Sequence, residues 1–265
     1  LAGGVFTFSS YRYIHLLGHL DLVSTQWLPC FALFLLKTAR ERGPISPILA
    51  AAFFAAAALT ASYYLLFLLV FGALFAMWTV LRGGHAWRPA LQRFAGAGVV
   101  ALVLLSPVLV PMVREGQIAG RTPNPAYDID RFSGDLASPV VPSPLPAWSR
   151  TFGQSMRVAI ARPGTTTEGV LFLGYIPLLL AAVALTHRSG RGFWFLSFVA
   201  FTAMALGPTV YAVGRPLPVL SALAPYRLLL QLPFGDIPRV PARFIVMAGL
   251  SLSVLAAIGT CRLLR

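Results

Sequence analysis

ISPILAAAFFAAAALTASYYLLFLLVFGALFAMWTVL, residues 45–81, carries no charged side chain. A membrane-spanning helix needs about 20 mostly apolar residues at about 1.5 Å of rise per residue. The stretch is therefore too long for one span. Small and amphipathic residues that can sit at an interface occur at Ala61-Ser62-Tyr63, and the stretch divides there into two spans. Reading outward, further apolar runs cover 23–36, 94–113, 169–186, 193–213 and 244–261. The first of these is extended by the opening stretch, and the second has Pro107 and Pro111 near its outer end. The expected fold class is all-α, a polytopic transmembrane helix bundle of about seven spans. It forms a single transmembrane domain over 1–265, with two external loops, 114–168 and 214–243, that carry short interfacial helices.

Composition agrees. Of the 265 residues, 57% are hydrophobic and 11% charged, against about 25% charged in a soluble domain. The net charge of +13 does not point to nucleic acid, because the basic residues sit in short clusters between apolar runs and not on a basic face interleaved with aromatics. Cys30 and Cys261 belong to no CxxC or Cys/His cluster and read as buried free thiols. The opening LAGGVFTF reads as the continuation of an apolar segment, so the chain is expected to be a fragment of a longer membrane protein.

Lys37, Arg40 and Arg42, then Arg82, Arg88 and Arg93, then Arg188 and Arg191, and finally Arg262 and Arg265 lie in very short connections. Short basic loops stay cytoplasmic. The two long segments then fall outside, together with every acid except Glu41. The first, rich in Pro, Gly, Ser and Thr, reads as an irregular loop with polyproline character and no core of its own. In the second, 226–232 reads as a short helix on the membrane surface, ended by Pro233.

Polar groups at the mouth of an apolar bundle are the candidates for function, since burying them against lipid is costly. Tyr11–Pro29, YRYIHLLGHLDLVSTQWLP, packs His15, His19 and Asp21 into one short run. His15 and His19 are four apart and share one helical face, and imidazoles with a nearby carboxylate suit either a substrate or a divalent ion. Asp128-Ile-Asp130 is a DxD, whose carboxylates could share a divalent cation such as Mg²⁺ or Mn²⁺ that clamps phosphate oxygens. Asp135 and Glu168 bracket the rest of the first external loop, where a carboxylate could act as a general base. Arg227, Arg239 and Arg243 occupy the second loop, and guanidinium forks bind phosphate bidentately. Pro233, Pro238 and Pro241 are expected to hold the arginine segment extended. Each group also has a purely solvated or interfacial reading: headgroup snorkelling for the arginines, a helix-dipole acid for Glu168, a water-facing loop for the DxD.

Four stretches, GHLDLVSTQWLP, GDLASPVVPSPLPAW, EGVLFLGYIPLLLA and LPFGDIPRVPARF, together resemble bacterial multi-pass proteins related to the GT-C superfamily of lipid-linked-sugar glycosyltransferases, including the YfhO-like group. The resemblance implies a bundle in the bacterial cytoplasmic membrane with its long loops and pocket extracytoplasmic. It implies transfer of a sugar from a polyprenyl-phosphate donor to a glycan, lipid or protein. The family's catalytic acid usually lies in the first external loop after the first helix, ahead of what this chain contains. Asp135 and Glu168 are thus the catalytic candidates here, and His15, His19, Asp21, Arg227, Arg239 and Arg243 the substrate-binding ones. The competing readings are a transporter or a lipid or glycan flippase, which would place ionisable groups within the spans, and a non-catalytic membrane scaffold.

Overall fold

The computed structural model describes residues 1–16, 18–83, 87–118, 126–144, 148–162, 169, 171–186, 190–231 and 239–264, without the side chains of 116–118 and 126–128. The chain forms two compact units, one of residues 1–19 with 124–265, the other of residues 20–123. Helices dominate both, as expected for an all-α chain.

Two short helices open the first unit, α1 (Ala2–Thr7) and α2 (Ser10–His15). The second unit follows, with α3 (Leu20–Val23), α4 (Trp27–Arg40), α5 (Ile45–Thr60), α6 (Ser62–Leu81) and α7 (Trp87–Ile118). The long apolar stretch breaks at Ala61, whose extended backbone (φ −149°, ψ 128°) separates α5 from α6. Alanines make α5 thin, so Ala50, Ala51 and Ala57 bury completely and neighbouring helices approach closely. Phe31, Phe67, Leu68 and Phe71 fill the remaining interior. The buried Tyr64 hydroxyl donates to the Leu22 carbonyl at 2.5 Å, and Arg93 donates to the carbonyl of Ala39 at 3.2 Å. Pro107 and Pro111 lie inside α7 and do not end it. A proline removes one ladder bond without forcing a stop when the flanking residues keep the helix.

The first unit resumes with α8 (Ala126–Arg131), α9 (Ser149–Phe152) and α10 (Gln154–Ile160), then the apolar α11 (Tyr175–Leu185) and α12 (Gly192–Ala205). A two-stranded hairpin, β1 (Tyr211–Ala212) with β2 (Arg215–Pro216), leads to α13 (Pro218–Ala222) and α14 (Tyr226–Leu230). A 3₁₀ turn, Pro241–Phe244, runs into α15 (Ile245–Leu263). The centre of this unit is α15. Of its apolar stretch 67% is buried inside the protein, against 17% for α7. It packs on α11, α12 and α1, with Leu252 and Leu255 against Ala181 and, around them, Trp194 and Phe198. Ser251 of α15 donates to Ser197 of α12 across the interface at 2.8 Å.

Among the described residues, three helical stretches are long and apolar enough to cross a membrane: Ser62–Leu81, Trp87–Glu115 and Pro241–Leu263. The apolar helices Ile45–Thr60, Tyr175–Leu185 and Gly192–Ala205 are shorter. The run expected over 193–213 stops being helical at Ala205, and the run expected over 169–186 is helical only from Tyr175. Hydropathy alone does not see these ends, because apolar residues of a loop that packs inward count like those of a helix. The segment over 114–168, expected to be external, is less irregular than its prolines suggest, since α8, α9 and α10 form within it. Cys30 is half-buried, and Cys261 is exposed in the last turn of α15, where a buried thiol was expected.

The close approach of α15 to α11 depends on Gly259, because a Cβ there would overlap the backbone carbonyl of Leu180. Gly249 of the same helix has open space at its Cβ position. Gly259→Ala should therefore destabilise the protein by about 1–3 kcal/mol, the usual penalty of overpacking, and Gly249→Ala should be nearly neutral. Thermal melting of both variants in detergent, followed by size-exclusion chromatography, checks this. Equal melting temperatures would contradict the packing.

Candidate functional site

The polar residues of the first unit gather where α12 ends and α15 begins. The turn after α8 donates its Gly134 N–H to the Ala205 carbonyl at 3.0 Å and its Leu136 N–H to the Tyr211 carbonyl at 2.8 Å. The Ala242 N–H donates to the Phe132 carbonyl at 3.1 Å. Three segments distant in sequence, 129–138, 205–216 and 241–243, are thereby tied into one junction. Beneath it lie the buried rings of Phe201, Tyr226 and Phe244, each neighbouring pair 6.1 Å apart.

Asp135 holds this junction together. Its residue is 2% exposed. Oδ1 accepts the N–H of Ala137 at 2.9 Å and that of Val213 at 3.1 Å, and Oδ2 accepts the N–H of Gly214 at 2.9 Å. Its own N–H donates to Ser138 Oγ at 3.1 Å. The bond to Ala137 is an Asx turn, the local habit of aspartate. The other two reach the hairpin tip. Val213 (φ 50°) and Gly214 (φ 74°) are the two central residues of that hairpin, and both have positive φ. A two-residue hairpin turn of this hand is favoured by the strand twist. Glycine takes the conformation freely, and a β-branched valine pays for it. The carboxylate, satisfying both amides at once, offsets that cost.

Arg162 closes the same junction from the other side. Its guanidinium donates to the Ser133 carbonyl at 2.5 Å and lies 3.8 Å from the Tyr211 ring centroid. Neither contact was legible in the sequence, where Arg162 is one arginine among many before a Pro-Gly pair. Thr209 was missed as well. Its hydroxyl donates to Asp130 Oδ2 at 3.2 Å. Asp130 Oδ1 is buried and, among the described residues, accepts no hydrogen bond.

The other expected site residues fall as follows. Arg243 is 8% exposed in the 3₁₀ turn at the head of α15. Arg239 and Arg227 are exposed, Arg227 in α14. The extended arginine segment expected from Pro233, Pro238 and Pro241 gives way to that 3₁₀ turn at Pro241, since proline is well suited to the first turn of a helix. Pro233 and Pro238 lie outside the described residues, as does Glu168. The Asp128–Asp130 pair sits on helix α8 and not on a loop. Positions two apart on a helix lie on different faces, and the side chain of Asp128 is outside the description. His15 is buried at 3% exposure, with Nδ1 donating to the Tyr11 carbonyl at 2.7 Å and its ring 4.1 Å from that of Tyr11. His19 is exposed, its ring centroid 6.1 Å from that of His15. Asp21 is exposed and belongs to the other unit. Among the described residues, no three His, Cys, Asp or Glu side chains come together to hold a metal ion.

Comparison with known proteins places this arrangement in a family. The model of a domain of unknown function, DUF6311, matches residues 1–265. The chain belongs to the DUF6311 family. No curated protein and no solved structure matches it. For this DUF6311 chain the junction around Asp135 is therefore the firmest guide to a site.

Arg162 offers a direct test of that junction. Arg162→Ala should lower stability by about 1–3 kcal/mol, the range for a desolvated cation–π contact with a charged hydrogen bond. Arg162→Lys should recover only part, because an ammonium keeps the charge without the planar fork. Thermal unfolding in detergent reads the order wild type, Lys, Ala. Indifference to both substitutions would remove Arg162 from the junction.

Proposed function

We propose that this chain is the membrane-embedded part of a GT-C-like glycosyltransferase. It would bind a polyprenyl-phosphate-linked sugar at the junction and pass the sugar to an extracytoplasmic glycan, lipid or protein acceptor at the bacterial cytoplasmic membrane. The observation that carries the reading is the buried Arg243 at the head of α15, a helix long and apolar enough to span. The adjacent Ala242 is hydrogen-bonded to the loop that follows Asp130. A buried cation at the head of an apolar helix suits a lipid phosphate, and a carboxylate in the adjoining segment suits an acceptor hydroxyl.

In this reading Arg243, with the exposed Arg239 beside it, holds the phosphate and neutralises its charge as it departs. Asp135 is, with Glu168, an expected general base, but both its oxygens are engaged by backbone amides. Its part is to hold the loop. Asp130, with one oxygen accepting from Thr209 and the other accepting no hydrogen bond among the described residues, is the better-placed base for the acceptor hydroxyl. Glu168 keeps its candidacy outside the described residues. The short basic connections are cytoplasmic and the junction faces outward.

Two measurements test this. Arg243→Ala should weaken binding of a polyprenyl-phosphate sugar by roughly ten- to a hundredfold, the equivalent of one charge-assisted contact of about 1.5–3 kcal/mol. Asp130→Asn should leave that binding intact and abolish transfer. Unchanged affinity in both Arg243→Ala and Arg239→Ala would sink the phosphate site. For sidedness, in a chain with Cys30 and Cys261 replaced by serine, a cysteine at the exposed Arg150 should react with an impermeant thiol reagent added to intact cells. One at the exposed Gly190 should react only after lysis. The reverse order would invert the topology.

A further inference from the structure

The segment between the hairpin and α14 turns its apolar side chains outward. The inward positions of α13 and α14 are Ser221, Ala224, Tyr226 and Leu229, all buried. Outward stand Val219 and Leu223, each 76% exposed, and Leu228 at 65%. A water-facing surface helix has the opposite pattern, with its aliphatic stripe toward the core. The hairpin tip extends the same surface. Val213 is 57% exposed despite its positive φ. Beside it, the Cβ position of Gly214 lies 3.3 Å from the Ala159 carbonyl of α10, whose Val158 is 69% exposed. The result is a run of exposed aliphatics shared by three elements of one unit, larger than scattered surface hydrophobics.

What covers this surface follows from where the chain holds it. The segment leaves the apolar helix α12 after Ala205 and returns to the 3₁₀ turn that begins the stretch Pro241–Leu263, long and apolar enough to span. The bonds from Gly134 to Ala205 and from Ala242 to Phe132 bring both ends to one boundary. Tyr211–Gln231 contains no acid, and its two charged residues, Arg215 and Arg227, are exposed. Outward aliphatics with arginines and no carboxylate are the composition of an interfacial helix on an anionic leaflet.

We propose that Val213, Val219, Leu223 and Leu228 form a lipid-inserting surface. It dips into the leaflet at the α12/α15 boundary, with Arg215 and Arg227 at the level of the lipid phosphates. The valine at the hairpin tip is one of these contacts, its positive-φ conformation held by the Asp135 carboxylate. This role is independent of the phosphate-site reading and stands if that one fails.

The test uses the full chain with Cys30 and Cys261 replaced by serine, reconstituted in vesicles of phosphatidylcholine and phosphatidylglycerol. Single cysteines at Val213, Val219 and Leu223 carry a bimane label, and a label at the exposed Arg131 serves as reference. Spin-labelled lipids should quench the first three severalfold more than the reference, and aqueous iodide should quench them less. Adding Val219→Glu and Leu223→Glu together should return the Val213 label to iodide, with size-exclusion behaviour unchanged. Labels quenched by iodide and no better by lipid than the reference would overturn the proposal, because the surface would then face water. Labels reached by neither quencher would overturn it too, since a protein partner would be covering the surface.

Discussion

One carboxylate carries the polar end of the first unit. Irregular backbone at the mouth of an apolar bundle has amides that neither helix nor water satisfies, and each unsatisfied one costs free energy. Asp135 takes three of them, one from its own turn and two from the hairpin nearly eighty residues later. Charge-assisted bonds of this kind are roughly twice as strong as neutral ones. They fix the hairpin tip in a conformation that valine would otherwise avoid. Around that fixed point the loop backbone reaches Ala205, and the start of α15 reaches Phe132. Arg243 stands in the turn tied to Phe132, and α13 and α14 follow the hairpin whose tip Asp135 holds.

The helices themselves follow a different logic. α15 is held by close backbone approach at Gly259 and by a serine pair with α12, contacts that do not rely on hydrophobic driving force between helices in lipid. In the second unit, alanine-rich α5 plays the corresponding part. Apolar surface left over on α7 is what a lipid-exposed helix presents.

The sequence revealed most about the helices and least about the junction. The division at Ala61 was legible because an unbroken apolar run cannot exceed the bilayer. The helix expected over 226–232 is seen at Tyr226–Leu230, and Pro233, expected to end it, lies outside the described residues. The ends of α11 and α12 were not, since leucines and alanines in packed loops have the hydropathy of a span. Asp135 stood out as one of several acids in a segment expected to be external, but its partners are backbone amides, which carry no sequence signature. For the same reason its charge suggested catalysis and gave no sign of the amides it accepts. Arg162 and Thr209 gave no signal at all. Their roles arise from long-range pairing with Tyr211, Ser133 and Asp130, and only the fold defines those pairs.

The central claim is that the Asp135 carboxylate pins the hairpin tip, and amide hydrogen exchange reads the bonded groups themselves. In lipid nanodiscs, the amides of Val213 and Gly214 should be protected in the wild-type chain. Asp135→Ala should expose them and speed their exchange by orders of magnitude, with the amides of α15 unchanged. Equal exchange at Val213 and Gly214 in the two chains would show that the hairpin holds its shape without the carboxylate, and the account would be wrong.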